Sequence, residues 1–111
     1  MPAGDLRERV RFEARAVGDD GYGNVRADWI ERFSVSARIV SLRGGESVIA
    51  ARLQGTQPVV ITVRAEARTR AIATDWRAVD ARRGTVYAIR GAVEREGRDY
   101  IDLTCEAGVA A

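Results

Sequence analysis

Ser41-Leu-Arg-Gly-Gly-Glu-Ser-Val-Ile-Ala-Ala-Arg-Leu-Gln-Gly-Thr-Gln-Pro58 is the stretch whose reading decides the fold. The chain on either side alternates polar and apolar residues with a period of two; this stretch does not. Gly44-Gly45 opens it, where two residues without Cβ let the backbone turn. Glu46 to Gln54 then places Ile49 and Leu53 four apart, on one face of a helix. Gly55 suits a left-handed residue ending that helix, and Pro58 resists its continuation. Helices shorter than roughly 12–15 residues are marginal alone in water. The stretch therefore reads as a long loop-plus-short-helix insertion between two strands, in need of a neighbour to order it. Long connections of this kind are usually functional or disordered; here a functional loop is expected.

Working outward, Leu6–Val17 has Val10, Phe12, Ala14 and Ala16 on one parity and Arg9, Arg11, Glu13 and Arg15 on the other. That is the pattern of a half-buried antiparallel strand. Gly18 to Asn24 is a glycine-rich hairpin turn. Asp20 and Glu31 have the first-to-last spacing of a calcium loop. Tyr22 stands where that loop needs a carboxylate, however, and Val25 where it needs glycine, so a plain turn is expected. Val25–Leu42 is a long second strand, with Trp29, Phe33, Val35, Ala37 and Ile39 expected inward and Arg32, Ser34, Ser36 and Arg38 outward. Glu31 falls on the inner parity, which predicts a bulge or a strand rim there. After the insertion come strands at Val59–Glu66, Trp76–Asp80, Thr85–Glu94 and Arg98–Ala107. Polar, arginine-rich Ala67–Thr74 is expected to cross the rim between two of them. The spacing predicts an all-β fold: a small antiparallel β-barrel or sandwich of about six strands, closed to remove its edges.

At 111 residues the chain is expected to form one domain, residues 1–111, with the insertion at 41–58. No apolar run reaches the roughly 18–20 residues of a membrane span or follows the N-terminus as in a signal peptide. Every basic residue is arginine, and the net charge is only +2, with acids and arginines interleaved. A dedicated nucleic-acid grip would cluster its charge. There is no histidine, which excludes Ser-His-Asp and Cys-His catalysis and His-ligated metals. The single cysteine, Cys105, shares parity with Leu103 and Ala107 and reads as a buried small hydrophobe. No phosphate-cradling loop is present. Asp75, Asp80, Glu94, Glu96, Asp99 and Asp102 fall mostly in turns and on polar faces, where solvated carboxylates belong rather than a catalytic pair. No enzymatic activity, cofactor, metal or small-molecule ligand is expected.

Four phrases, in order, resemble the head–tail joining family of tailed bacteriophages, the head-closure or stopper proteins, with relatives in gene transfer agents. Gly4-Asp-Leu-Arg-Glu-Arg-Val-Arg-Phe12 is similar to the family's opening, where a Leu-Arg-x-Arg-Val/Ile phrase enters the first strand. Asp20-Gly-Tyr-Gly-Asn24 followed by Trp29 resembles its first hairpin. Gly44-Gly-Glu46 and Ala50-Ala-Arg52 resemble its loop-and-helix insertion, although the family often has bulky residues where Ala50-Ala51 stand. Ile61-Thr-Val-Arg64, Asp75-Trp-Arg77 and Tyr87-Ala-Ile89 resemble its second half.

The resemblance implies a structural protein of the virion neck, made in the bacterial cytoplasm. It would form a homo-oligomeric ring of six or twelve copies between a portal-side adaptor protein and a tail-side protein. Packaged double-stranded DNA would pass through the ring or be retained by it. Carried onto this sequence, the loop facing channel or partner comprises Arg43, Gly44, Gly45, Glu46, Ile49, Arg52, Leu53 and Gln54. A different class of function, a small-barrel nucleic-acid-binding module, would use Trp29, Trp76, Tyr22 or Tyr87 to stack bases. The alternation of the strands reads three of these as core and Tyr22 as a turn cover.

Overall fold

The computed structural model describes residues 3–19, 25–42, 45–97 and 99–108, with backbone alone at 3, 16–19, 25–27, 47 and 51. Six strands follow in order: β1 (Glu8–Asp19), β2 (Val25–Ser41), β3 (Gln57–Arg64), β4 (Arg77–Asp80), β5 (Val86–Glu94) and β6 (Tyr100–Ala107). Helix α1 (Glu46–Leu53) lies between β2 and β3, and α2 (Ala67–Arg70) between β3 and β4. All strand pairs are antiparallel, and the sheet closes in the order β1-β2-β3-β6-β5-β4. The expected six-strand closed architecture is what forms.

Inward residues of every strand meet in one core. Val10, Phe12, Ala37, Val59, Ile61, Val63, Ala78, Tyr87, Ile89, Ile101, Leu103 and Cys105 are all buried there. Burial pushes the Cys105 thiol up to about 12, so it stays a neutral thiol. Phe33 packs on Phe12 with ring centroids 5.4 Å apart and on Trp76 at 6.1 Å.

The bulge expected near Glu31 is present. Phe12 pairs with Phe33 but Glu13 with Glu31, leaving Arg32 as the extra residue. This slip overturns the inward placement of Trp29. Beyond the bulge Trp29 lies opposite Arg15, on the outward side, half-buried. The guanidinium carbons of Arg15 and Arg77 stand 4.9 and 4.5 Å from its ring centroid. Val35, Ala37 and Ile39 are inward as expected.

The arginine-rich rim at 67–74 contains α2, a single turn too short to show a helical period. The buried Thr69 hydroxyl donates to Arg64 O at 2.6 Å and accepts the Glu66 N–H at 2.9 Å. Arg70 bonds Glu94 at 2.7 Å, which ties α2 to β5, and Ile72 drops into the core.

β4 is four residues long and completes the ring by pairing with β1 over residues 10–13. Polar contacts reinforce this seam. Asp80, 1% exposed, accepts the N–H groups of Arg82 (2.9 Å) and Arg83 (3.3 Å) and the Arg83 guanidinium (3.2 Å). Arg82 and Arg83 reach Glu8 on β1 at 3.8 and 3.5 Å. Glu13 accepts from Arg77 at 2.5 Å and Arg11 at 2.8 Å. Burial alone raises the pKa of both carboxyls, and the hydrogen bonds and guanidinium charges outweigh it. Glu13 sits below its ordinary 4.5 and Asp80 below 3.8.

Phe33→Ala should cost about 3 kcal/mol, the low end for a large aromatic because Phe33 is half-buried. Trp29→Ala should cost less, since it strips only outward stacking; urea midpoints of the two variants test the order. Carboxyls with lowered folded pKa stabilise fully above their unfolded values and lose that contribution as pH falls through the folded ones. The melting temperature should therefore hold near neutrality and drop below about pH 4. Asp80→Ala, which leaves two turn N–H groups unbonded, should lower stability by about 1–3 kcal/mol at pH 7 and flatten the acid limb.

Candidate functional site

The insertion leaves the barrel between the C-terminal end of β2 and the N-terminal end of β3. Three contacts fix its base. Leu42 N–H donates to Pro58 O at 3.1 Å, continuing the β2–β3 ladder past Ser41. Arg52 Nη2 donates to Leu42 O at 2.6 Å, pinning the helix to the strand it follows. Gly108, just past β6, has φ +84°, and a Cβ there would meet Gly55 O at 2.4 Å. Only a glycine lets the end of β6 lie this close to the exit of α1.

Above that base, α1 begins after Gly45 (φ +78°) and ends at Gly55 (φ +84°), as the sequence predicts. Ile49 N–H bonds Gly45 O, Gln54 N–H bonds Ala50 O and Gly55 N–H bonds Arg52 O. Glu46 in the first turn and Arg52 in the last both complement the helix dipole. Ile49 is 54% exposed and Leu53 84% exposed. Val48 is partly buried; Glu46, Ala50, Arg52 and Gln54 are exposed. Val40, at the same end of the barrel, is exposed too. The structure thus brings Gly45, Glu46, Ile49, Arg52, Leu53 and Gln54 together on one projecting element. Arg43 and Gly44 lie outside the described residues. Sequence reasoning missed Leu42 O and Gly108 as the holders of the base: the first is a backbone atom, and the second sits in a tail with no pattern.

The other candidate positions are already engaged. Trp76 is packed on Phe33 with Arg32 5.9 Å over its ring, and Tyr87 is 7% exposed. With Trp29 under two guanidiniums, these three rings present no stacking platform. Tyr22 and Asp20 lie outside the described residues; Glu31 is part of the β1–β2 ladder. Asp102 accepts from Thr62 (2.7 Å) and Arg95 (2.8 Å), which outweigh burial and hold its pKa below 3.8. Among the described residues no group of three or more Cys, Asp or Glu side chains gathers as metal ligands would.

A family model of the phage head completion protein matches residues 1–108. The chain belongs to that family, and so is a structural protein of the phage or phage-like virion. Two solved structures share its fold. Protein SF1141 of Shigella flexneri 2a, in solution, is 20% identical with TM-score 0.73, and the match covers 100% of both chains. A chain of a native gene transfer agent particle is 23% identical with TM-score 0.66, covering 95% of this chain and 96% of that one. Among curated proteins nothing matches.

Replacing residues 44–56 by a short Gly-Ser linker removes no strand and none of the inward core residues. Shortening a loop changes closure entropy by only about 0.6 kcal/mol per halving. The deleted protein should melt within a few degrees of the parent; an unfolded chain by circular dichroism would place the insertion inside the core instead.

Proposed function

We propose that this chain forms a homo-oligomeric ring of six or twelve copies in the virion neck, between a portal-side adaptor protein and a tail-side protein. The insertion of each copy turns toward the channel through which the double-stranded DNA passes, and helps retain it. The observation that carries this reading is α1. A helix of eight residues, held firmly at its base, holds Ile49 and Leu53 out into solvent instead of burying them on its own barrel. Isolated helices of this length do not persist in water, so contacts outside the barrel are the natural source of its order. Membership of the head completion family supports the place, and the shared fold of the gene transfer agent chain supports the architecture.

In a ring, Ile49 and Leu53 bury against an adjacent copy or a neck neighbour. Each buried aliphatic side chain contributes roughly 1.5–3 kcal/mol, repeated at every copy by symmetry. The double variant Ile49→Asp, Leu53→Asp should leave the melting temperature of the isolated protein within a few degrees of the parent. Particles carrying it should package DNA but leak it or fail to join tails, as read by nuclease sensitivity and electron microscopy. Normal tails and normal DNA retention in that variant would falsify the stopper role and leave a passive spacer.

A further inference from the structure

The β1–β2 hairpin outgrows the barrel that it helps to build. β4 pairs with β1 only over residues 10–13, and β3 pairs with β2 only over 37–41. Yet β1 and β2 stay paired with each other out to Asp19 and Val25. Residues 14–19 and 25–32 therefore have a paired strand on one side only, while further along β2 the Ser34 carbonyl accepts Arg9 Nη2 at 3.1 Å and Arg68 lies 5.4 Å over Phe33. Six residues of β1 beyond Glu13 extend about 20 Å at 3.3 Å per residue. This ribbon leaves the barrel at the end opposite α1, since β2 runs from the ribbon through the barrel to Leu42 at the base of the insertion.

Both outer edges of the ribbon are extended strand, and toward the tip, over 14–19 and 25–30, neither carries a proline or a bulge. The register slip, with Arg32 of β2 as its extra residue, lies at the root of the ribbon, and no slip follows toward the tip. Parity identifies the outward amides of β1. Arg9 O accepts the Ala81 N–H at 2.9 Å, so odd residues of β1 point their backbone groups to the β4 side. Past Glu13 the amides of residues 15, 17 and 19 face that side, where no further strand is paired. Exposed Ile30, on the inward parity, adds apolar surface to the ribbon.

We propose that this ribbon is a subunit-to-subunit contact: the β1 edge of one copy adds to the β2 edge of the next copy by antiparallel strand pairing. Within one ribbon β1 and β2 are antiparallel, so two ribbons pointing the same way present β1 of one antiparallel to β2 of the other. Rotation about a ring axis produces that arrangement at every step, and the two different edges make a heterologous contact, the kind that closes rings. The proposal rests on the ring reading above and adds the edges through which neighbours bind.

The test uses particles assembled from a mixture of two single variants, Arg15→Cys and Glu31→Cys, treated with a short bismaleimide. The native Cys105 is buried and does not compete. Mixed particles should yield a crosslinked pair of this chain, at least tenfold more than particles with either variant alone. The second arm is Val17→Pro, which removes an outward amide while leaving the β1–β2 ladder bonds intact. It should keep the parent's circular dichroism melt and lower incorporation into particles at least tenfold. A crosslink from Arg15→Cys to a different virion protein overturns the proposal, as does normal incorporation of folded Val17→Pro. If Val17→Pro fails to fold, the crosslinking arm decides alone. Should the ribbon arms fail while Ile49→Asp, Leu53→Asp blocks tail joining, the ring reading stands and the ribbon contact falls. If all variants leave normal particles, the ribbon contact and the stopper role both fail.

Discussion

The barrel exists because a four-residue strand can hold its seam. β4 is the shortest strand, and without its pairing to β1 the sheet would be an open, curled sheet with two long edges. Four residues supply few ladder bonds, and the seam is reinforced by charge on both sides of it. At one end Asp80 binds the turn that follows β4, while Arg82 and Arg83 of that turn reach back to Glu8 on β1. At the other end Arg77 reaches Glu13. Exposed ion pairs are each worth little, but Glu13 and Asp80 are themselves buried and fully bonded. Breaking them leaves desolvated carboxylates, which is far more costly than losing a surface pair.

Closure at this seam sets what the two ends of the molecule can do. Because the barrel body is self-sufficient, β2 can run seventeen residues, spending only Ala37–Ser41 on β3. One end of that strand carries the insertion; the other carries the ribbon. A single long strand through a stable barrel thus carries both projecting elements, at opposite ends of the body. The principal extents of 49 × 35 × 25 Å express the same elongation.

Most of this fold was legible in the sequence because period-two alternation reports a half-buried antiparallel strand directly. The succession of strands along the chain and the place of α1 were readable for that reason. Trp29 shows where the reading stops. Its parity matched Phe33, and Glu31 signalled an irregularity between them, but the sequence could not say on which side the slip fell. One extra residue moves every side chain beyond it to the other face, so Trp29 became an outward ring under two arginines. α2 was invisible for another reason: Ala67-Arg-Thr-Arg70 is too short for a period, and its anchor is a buried threonine hydroxyl bonded to backbone. The projecting face of α1 was legible from the spacing of Ile49 and Leu53. Its clamp, Arg52 to a strand carbonyl and Gly55 under Gly108, was not, since backbone atoms leave no trace in residue identity.

The insertion combines a rigid root with a helix of little stability of its own, and this combination has a consequence for assembly. Local opening free energies are low where few apolar contacts hold an element, and in α1 only Val48 among the described side chains is even partly buried. A helix that packed on its own barrel would have to be stripped from it before meeting a neighbour. A wholly unanchored loop would lose more entropy when ordered at the interface. Tying the loop at Leu42, Arg52 and Gly108 removes much of that entropy in advance, while Ile49 and Leu53 stay available. In the proposed ring such a contact would form with little rearrangement of the barrel, and it would strengthen only when several copies present the same two side chains at once.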